Sequence, residues 1–275
     1  MGYNAQTHGR CMLDLNKIYC GDNLTLIKQL DDGCIDLTVT SPPYDNLRTY
    51  NGFTWDFEGL AKELYRVTKD GGVVVWVVAD ATVNGSETGT SFRQALYFME
   101  CGFRLHDTMI YNREKIPQEH NRYQQGFEYM FVLSKNAPKT FNPIKIPSKL
   151  AGKKSSKHSE RGRDGVVKMD RTTEYVSDFK TKQNVWKYAV GYMHNSKDII
   201  SYKHPATYPE KLAEDHIISW SNPGYIVLDP FMGSGTTAKM ALKNGRKYIG
   251  FEISQEYVDI ANDRIRNWKK QSRLF

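Results

Sequence analysis

Val73-Val74-Val75-Trp76-Val77-Val78 is an unbroken apolar run with no residue suited to face water. Successive side chains of a strand point to opposite faces, so such a run needs cover on both. That calls for a largely parallel sheet between two layers of helices, rather than an antiparallel sheet with one wet face. The chain around the run keeps the matching rhythm. Lys17–Cys20 reads as a short strand entering Gly21-Asp22-Asn23, after which Leu24, Ile27 and Leu30 recur at helical spacing. Ile35–Thr40 is a β-branched strand that stops at Ser41-Pro42-Pro43, where proline ends ladder pairing. Residues 54–67 form an amphipathic helix with Phe57, Leu60, Leu64 and Val67 on one face, and Gly71-Gly72 punctuates it as a break before the strand over 73–78. Ser91 caps a further helix, and segments near 105–111 and 129–133 form an antiparallel pair.

The rhythm fails between residues 136 and 202, a stretch rich in Lys, Ser, Gly and Thr with short β-like fragments. It reads as an inserted module outside the central sheet. The rhythm then returns, with a helix over 209–220, a buried strand over 225–229, a helix reaching Leu242, a strand ending at Glu252 and a last helix over 255–268. A chain of 275 residues accommodates this as one α/β domain, residues 1–275, carrying the insertion 136–202.

Two features of this frame are chemical. After Asp229 come Gly233, Gly235 and Ala238 in the pattern G-x-G-x-x-A, and Glu252 closes the next strand nineteen positions beyond Gly233. The glycines allow a tight turn and a close ligand approach, and the carboxylate suits ribose hydroxyls. This indicates a nucleoside-containing cofactor, and the motif alone leaves a nicotinamide dinucleotide and an oxidoreductase open. The second feature is Ser41-Pro42-Pro43-Tyr44, at the carboxyl edge of a strand where α/β proteins bind ligands. Ser41 offers a hydroxyl and Pro42 a carbonyl as acceptors on a stiffened backbone, and Tyr44 offers a flat ring. A rigid turn with no further role has the same sequence.

Charge narrows the choice. Residues 145–187 hold 12 Lys and Arg against 5 Asp and Glu, an excess equal to the +7 of the whole chain. A basic loop rich in Ser and Gly suits phosphate backbones. Lys153, Lys154, Lys157, Arg161 and Arg163 would be its contacts to a nucleic acid, and a merely solvated basic loop has the same composition.

Together these residues resemble the bacterial DNA amino-methyltransferases, which methylate cytosine N4 or adenine N6. The catalytic tetrapeptide of that family, [DNS]-P-P-[YFW], is matched by Ser41-Pro42-Pro43-Tyr44, and its F-x-G-x-G motif by Phe231-Met232-Gly233-Ser234-Gly235. The catalytic motif precedes the cofactor motif, as in the permuted β-type arrangement, with the target-recognition region between them. Asn184-Val185-Trp186 and His204-Pro205-Ala206-Thr207-Tyr208-Pro209 add to the likeness, which spans nearly the whole chain.

The resemblance implies a Rossmann-like fold dependent on S-adenosyl-L-methionine. Ser41, Pro42 and Tyr44 are then catalytic, accepting hydrogen bonds from a flipped base and stacking on it. Asp22 meets the adenine of the cofactor and Glu252 its ribose; Phe231, Gly233, Gly235 and Thr236 flank the rest, and His204 and Ala206 close the pocket. Asp22 also reads as a helix cap, and Phe231 as a core residue. A leading serine favours cytosine N4, with adenine N6 as the alternative. Enzymes acting on cytosine carbon 5 attack with a cysteine, typically after proline; Cys11, Cys20, Cys34 and Cys101 include no Pro-Cys pair and read as reduced thiols with no metal spacing. A cognate restriction endonuclease and a homodimer are compatible with the family. No apolar run reaches the ~18 residues of a membrane span, and no signal core precedes the domain, so the expected location is the bacterial or phage-infected cytoplasm, near the nucleoid.

Overall fold

The computed structural model describes residues 12–44, 55–113, 123, 125–154, 159–161, 164–169, 175–205 and 207–272. The chain divides into two compact units, Met1–Asn142 with Asn184–Phe275, and Pro143–Gln183.

Among the described residues the larger unit is built on one eight-stranded sheet: β1 (Lys17–Cys20), β2 (Ile35–Thr40), β3 (Thr68–Val78), β4 (Arg104–Arg113), β5 (Phe127–Ser134), β6 (Val185–Tyr188), β7 (Ile226–Asp229) and β8 (Lys247–Glu252). They lie in the order β1-β8-β7-β2-β3-β5-β4-β6. All neighbours are parallel except β5, which runs antiparallel to both β3 and β4. Among the described residues six α-helices accompany them: α1 (Asn23–Ile27), α2 (Phe57–Val67), α3 (Thr90–Glu100), α4 (Glu210–Trp220), α5 (Thr236–Lys243) and α6 (Gln255–Ser272).

The apolar run in β3 is covered on both faces, as its sequence requires. Val74, Trp76 and Val78 share one buried cluster with Leu60 and Leu64 of α2 and with Ala95 and Phe98 of α3. The indole N–H of Trp76 donates to Gln94 Oε1 at 2.9 Å, so its one polar atom is satisfied in the core. On the opposite face, His216 of α4 lies 3.2 Å from the Met130 sulfur, and Thr237 of α5 donates to the Val39 carbonyl.

This order creates a switch point. From β2 the chain moves to β3 on one side, whereas from β7 it moves to β8 on the other. The carboxyl ends of β2 and β7 therefore open a crevice between diverging connections, the usual ligand position in open α/β sheets. Because β5 is reversed, its first residues share that edge: Tyr129 pairs with Val78, and Glu128 with Tyr111 near the end of β4.

Three local expectations change. The insertion is narrower than 136–202: β6 joins the sheet beside β4, with Trp186 and Tyr188 buried on alternate positions. Residues 136–142 also belong to the larger unit, where the Asn142 amide donates to the carbonyls of Ile218 and Ser221. A four-residue strand carrying an exposed lysine has too short an alternation to stand out. Ser91 does not cap α3. Gly89 takes that position in a left-handed conformation, and Ser91 donates its N–H and hydroxyl to Asp80. Gly71-Gly72 does not break the chain, since β3 begins at Thr68 and runs through both.

The smaller unit is made of short antiparallel pairs, Lys145–Pro147 with Phe179–Thr181 and Ser159–Arg161 with Val167–Met169. Lys153 and Lys154 are exposed on it, and Lys154 bridges to Tyr175. Arg161 lies in a strand, while Lys157 and Arg163 fall outside the described residues. Among the described residues no helix is long and apolar enough to cross a membrane.

Candidate active site and cofactor cavity

The turn after β7 is closed by its own chain. Gly233 has φ +50° and Gly235 φ +80°, values that favour glycine. A Cβ at Gly233 would stand 3.1 Å from the His204 ring, so the backbone is pressed against that wall of the crevice. Glu252, ending β8, accepts the Gly233 N–H at 2.9 Å and the Ser254 N–H at 3.0 Å, one on each oxygen. Burial raises its carboxyl, while these amides pull the other way. The amides of Phe231, Met232 and Gly235 are bonded to Asp229, Phe251 and Met232. A pyrophosphate would find a carboxylate and occupied amides here, which disfavours a dinucleotide. Glu252 retains lone pairs for hydroxyl donors such as those of a ribose.

Other expected cofactor residues take mixed positions. Asp22 caps α1, accepting the Thr25 N–H and hydroxyl at 2.8 Å each, and also lines the crevice. Its neighbour Asn23, which sequence reasoning passed over, donates to the Pro230 carbonyl and leaves Oδ1 buried without a partner. An acceptor in that state fits a ligand amino group. The Phe231 ring stands edge-on to Trp55 at 4.8 Å and also faces the crevice, so it is both core and lining. His204 packs across Tyr257 at 4.3 Å. Gly235 is not part of the lining: a Cβ there would meet that of Ala261 at 2.9 Å, and the residue serves to bring α5 onto α6. Ala206 lies outside the described residues.

Behind the turn sits a charge cluster whose two cations are buried and whose two carboxylates are partly so. The fully buried Arg264 of α6 donates to the Ser234 carbonyl and Thr236 hydroxyl at 3.0 Å each, and pairs with Asp198 and Glu210. Lys239 of α5 bridges the same two carboxylates. Both carboxyls are held below their ordinary range by these cations, against the pull of burial. Thr236 is thereby anchored from behind. Three successive helices, α4, α5 and α6, and the segment preceding α4 are tied to the glycine turn by these bonds, and no local pattern announces them.

At the end of β2, Thr40 donates to Asp229 at 2.7 Å, joining the two strands of the switch point. Burial pushes the Asp229 carboxyl up to about 6. Pro42 is buried. Ser41 Oγ lies 2.8 Å from Tyr44 Oη, and the phenol donates to Glu128 Oε2 at 3.0 Å. The other Glu128 oxygen takes Arg113, whose Nε is buried without a partner. Burial first, and then the Glu128 charge, raises the Tyr44 phenol well above its ordinary range. Tyr44 is therefore anchored by its hydroxyl as well as offering a ring. Glu128 and Arg113 were missed by sequence reasoning. The signal available was the antiparallel pair itself, which brings the start of β5 and the end of β4 to the carboxyl edge.

The two motifs meet in one cavity of about 860 Å³, whose described lining includes Asn23, Ser41, Tyr44, Glu128, Gly233 and Glu252. Among the described residues no group of His, Cys, Asp and Glu side chains could hold a metal ion.

Comparison with known proteins identifies the family. A family model described as DNA methylase matches residues 35–263. The orphan methyltransferase M.BamHII of Bacillus amyloliquefaciens is 57% identical over 244 residues, covering 88% of this chain and 92% of that protein. Among solved structures, the cytosine-N4-specific PvuII DNA methyltransferase superposes with a TM-score of 0.67 at 21% identity, over 92% of this chain and 89% of that one. A DNA modification methylase of Thermus thermophilus, complexed with S-adenosyl-L-methionine, gives 0.61 at 21% identity, over 91% and 95%. At such identities the structural likeness speaks to the fold, and the match along the sequence speaks to descent. The chain belongs to the DNA methylase family, the amino-methyltransferases of DNA.

Proposed function

We propose that this DNA methyltransferase transfers its methyl group to N4 of a cytosine turned out of duplex DNA. The observation that carries this reading is the meeting of the Ser41–Tyr44 hydroxyl pair and the Glu252-closed glycine turn in one cavity. The methyl donor is S-adenosyl-L-methionine, which supplies an electrophilic methyl group. Glu252 would accept its ribose hydroxyls and Asn23 Oδ1 an amino group, with Phe231, Gly233, Thr236 and His204 as surrounding wall.

The chain's own work is on the base. An exocyclic amine is a poor nucleophile because its lone pair is delocalised into the ring. Acceptors aimed at both N–H groups favour the pyramidal, attacking nitrogen and meet the positive charge as it develops. Ser41 Oγ and the Pro42 carbonyl are the acceptors, and the prolines fix where they point. The Tyr44 ring offers a face to the extruded base. A neutral serine at the first position supports cytosine over adenine N6. The basic smaller unit, with Lys153 and Lys154 exposed, supports contacts to DNA phosphates. The name of M.BamHII, an orphan methyltransferase, favours a solitary enzyme over one paired with a restriction endonuclease.

The test is mass spectrometry of nucleosides from DNA incubated with the enzyme and isotopically labelled cofactor. N4-methylcytosine is the expected product. Label in N6-methyladenine overturns the choice of base and leaves the amino-transfer chemistry standing; no label in any base overturns the reading.

A further inference from the structure

The hydroxyl pair at the end of β2 has a direction. A phenol has one proton to donate. Tyr44 gives it to Glu128 Oε2 at 3.0 Å. The 2.8 Å contact between Ser41 Oγ and Tyr44 Oη also needs a proton, and the one left to supply it is that of Ser41. With its hydrogen turned towards Tyr44, Ser41 presents only lone pairs elsewhere. The chain Ser41 to Tyr44 to Glu128 ends on an ion pair with Arg113, whose guanidinium has donors alone and so requires an acceptor at the other Glu128 oxygen.

We infer that Glu128 is a positioning residue for methyl transfer: through Tyr44 it keeps the Ser41 hydrogen turned inward, so that Ser41 Oγ meets the substrate amino group as an acceptor. This rests on the reading of Ser41 as the group that accepts the amino N–H, and adds the residue that sets its polarity. Without that setting a serine hydroxyl rotates freely and can turn its own hydrogen towards the amino group, donor against donor. Geometry supports the assignment from a second side. Glu128 is itself buried, and among the described strands of the sheet β5 alone brings its amino end to the carboxyl edge, next to β2's neighbour β3. The raised Tyr44 phenol keeps its proton, as the direction of the chain requires.

The inference has an unusual genetic signature. In Glu128→Gln, Arg113 still needs an acceptor and holds the amide oxygen. The amide nitrogen then faces Tyr44 and donates to it. Tyr44 must in turn donate to Ser41, whose hydrogen is pushed out into the cavity. Tyr44→Phe removes the relay and leaves the Ser41 hydroxyl merely free. Single-turnover methyl transfer by the full-length protein, with duplex DNA and cofactor saturating, should fall about tenfold in Tyr44→Phe and about 100-fold in Glu128→Gln. The double variant should return to the Tyr44→Phe rate, with cofactor affinity within about twofold throughout.

A Glu128→Gln enzyme that transfers at the wild-type rate overturns the inference. So does a double variant slower than Tyr44→Phe by as much as Glu128→Gln is slower than wild type, since Glu128 then acts independently of Tyr44. Should Glu128→Gln fail to fold, Tyr44→Phe decides alone, and an unchanged rate overturns the relay. A wild-type protein that transfers no methyl group to DNA overturns the parent reading instead.

Discussion

On the proposed reading Ser41 and Glu252 divide the work of the cavity, and their variants should separate cleanly. Ser41→Ala removes an acceptor used as charge develops on the base nitrogen. It should lower the single-turnover rate by about 10²–10³ while leaving cofactor affinity unchanged. Glu252→Ala should do the reverse, weakening the cofactor by about tenfold or more in an equilibrium titration, because the same change frees the Gly233 amide and removes the ribose acceptor. Asp229 yields a prediction in pH. Its carboxyl is raised from 3.8 to about 6, so between those values the folded protein binds more protons than the unfolded chain. Stability should therefore fall as pH rises through that window and level off above it. Asp229→Asn, which keeps an oxygen for Thr40 and carries no charge, should flatten that slope in thermal melts taken across the same window.

At the scale of elements, the connections matter more than the strands themselves. The Arg264 cluster ties α6, the start of α5, the start of α4 and Asp198 to the back of the glycine turn. Arg264→Ala leaves two partly buried carboxylates with Lys239 as their shared cation. It should cost about 3–5 kcal/mol in denaturant unfolding, more than a surface ion pair of similar length. None of this was legible in the sequence, because the partners are scattered over residues 198–264 and each alone looks like an ordinary surface charge. The elements that were legible share one property, a signal contained within a few neighbouring residues. The β3 run, the stop at Ser41-Pro42-Pro43 and the turn Gly233–Gly235 all carry it. Glu128, Arg113 and the strand Val185–Tyr188 do not. Their places are fixed by pairing across the sheet, and a reversed strand such as β5 is what makes an amino-terminal residue belong to a carboxyl-edge site.

At the scale of the molecule, two units share one chain. The smaller one is entered and left at one place: the Lys182 N–H donates to the Ile144 carbonyl at 2.8 Å, so its two ends run side by side. Such an insertion can be removed without stretching the host. Replacing residues 145–181 with a short Gly-Ser linker should leave the larger unit folded and able to bind cofactor, as read by thermal melts and titration. DNA affinity should drop, and the dependence of log affinity on log salt should become shallower, by about 0.9 for each phosphate no longer neutralised. Unchanged affinity and slope would assign the DNA contacts to the larger unit.

The bond from Gly233 to Glu252 has a consequence for the order of events. A turn already closed by its own carboxylate needs no guest to shape it, so a cofactor seated there as proposed would meet a pre-organised surface and cost little chain entropy on its arrival. Hydrogen–deuterium exchange gives this a direct readout. The Gly233 amide should exchange slowly in the free protein and change little on cofactor binding, whereas the same amide in Glu252→Ala should exchange fast until the cofactor is added.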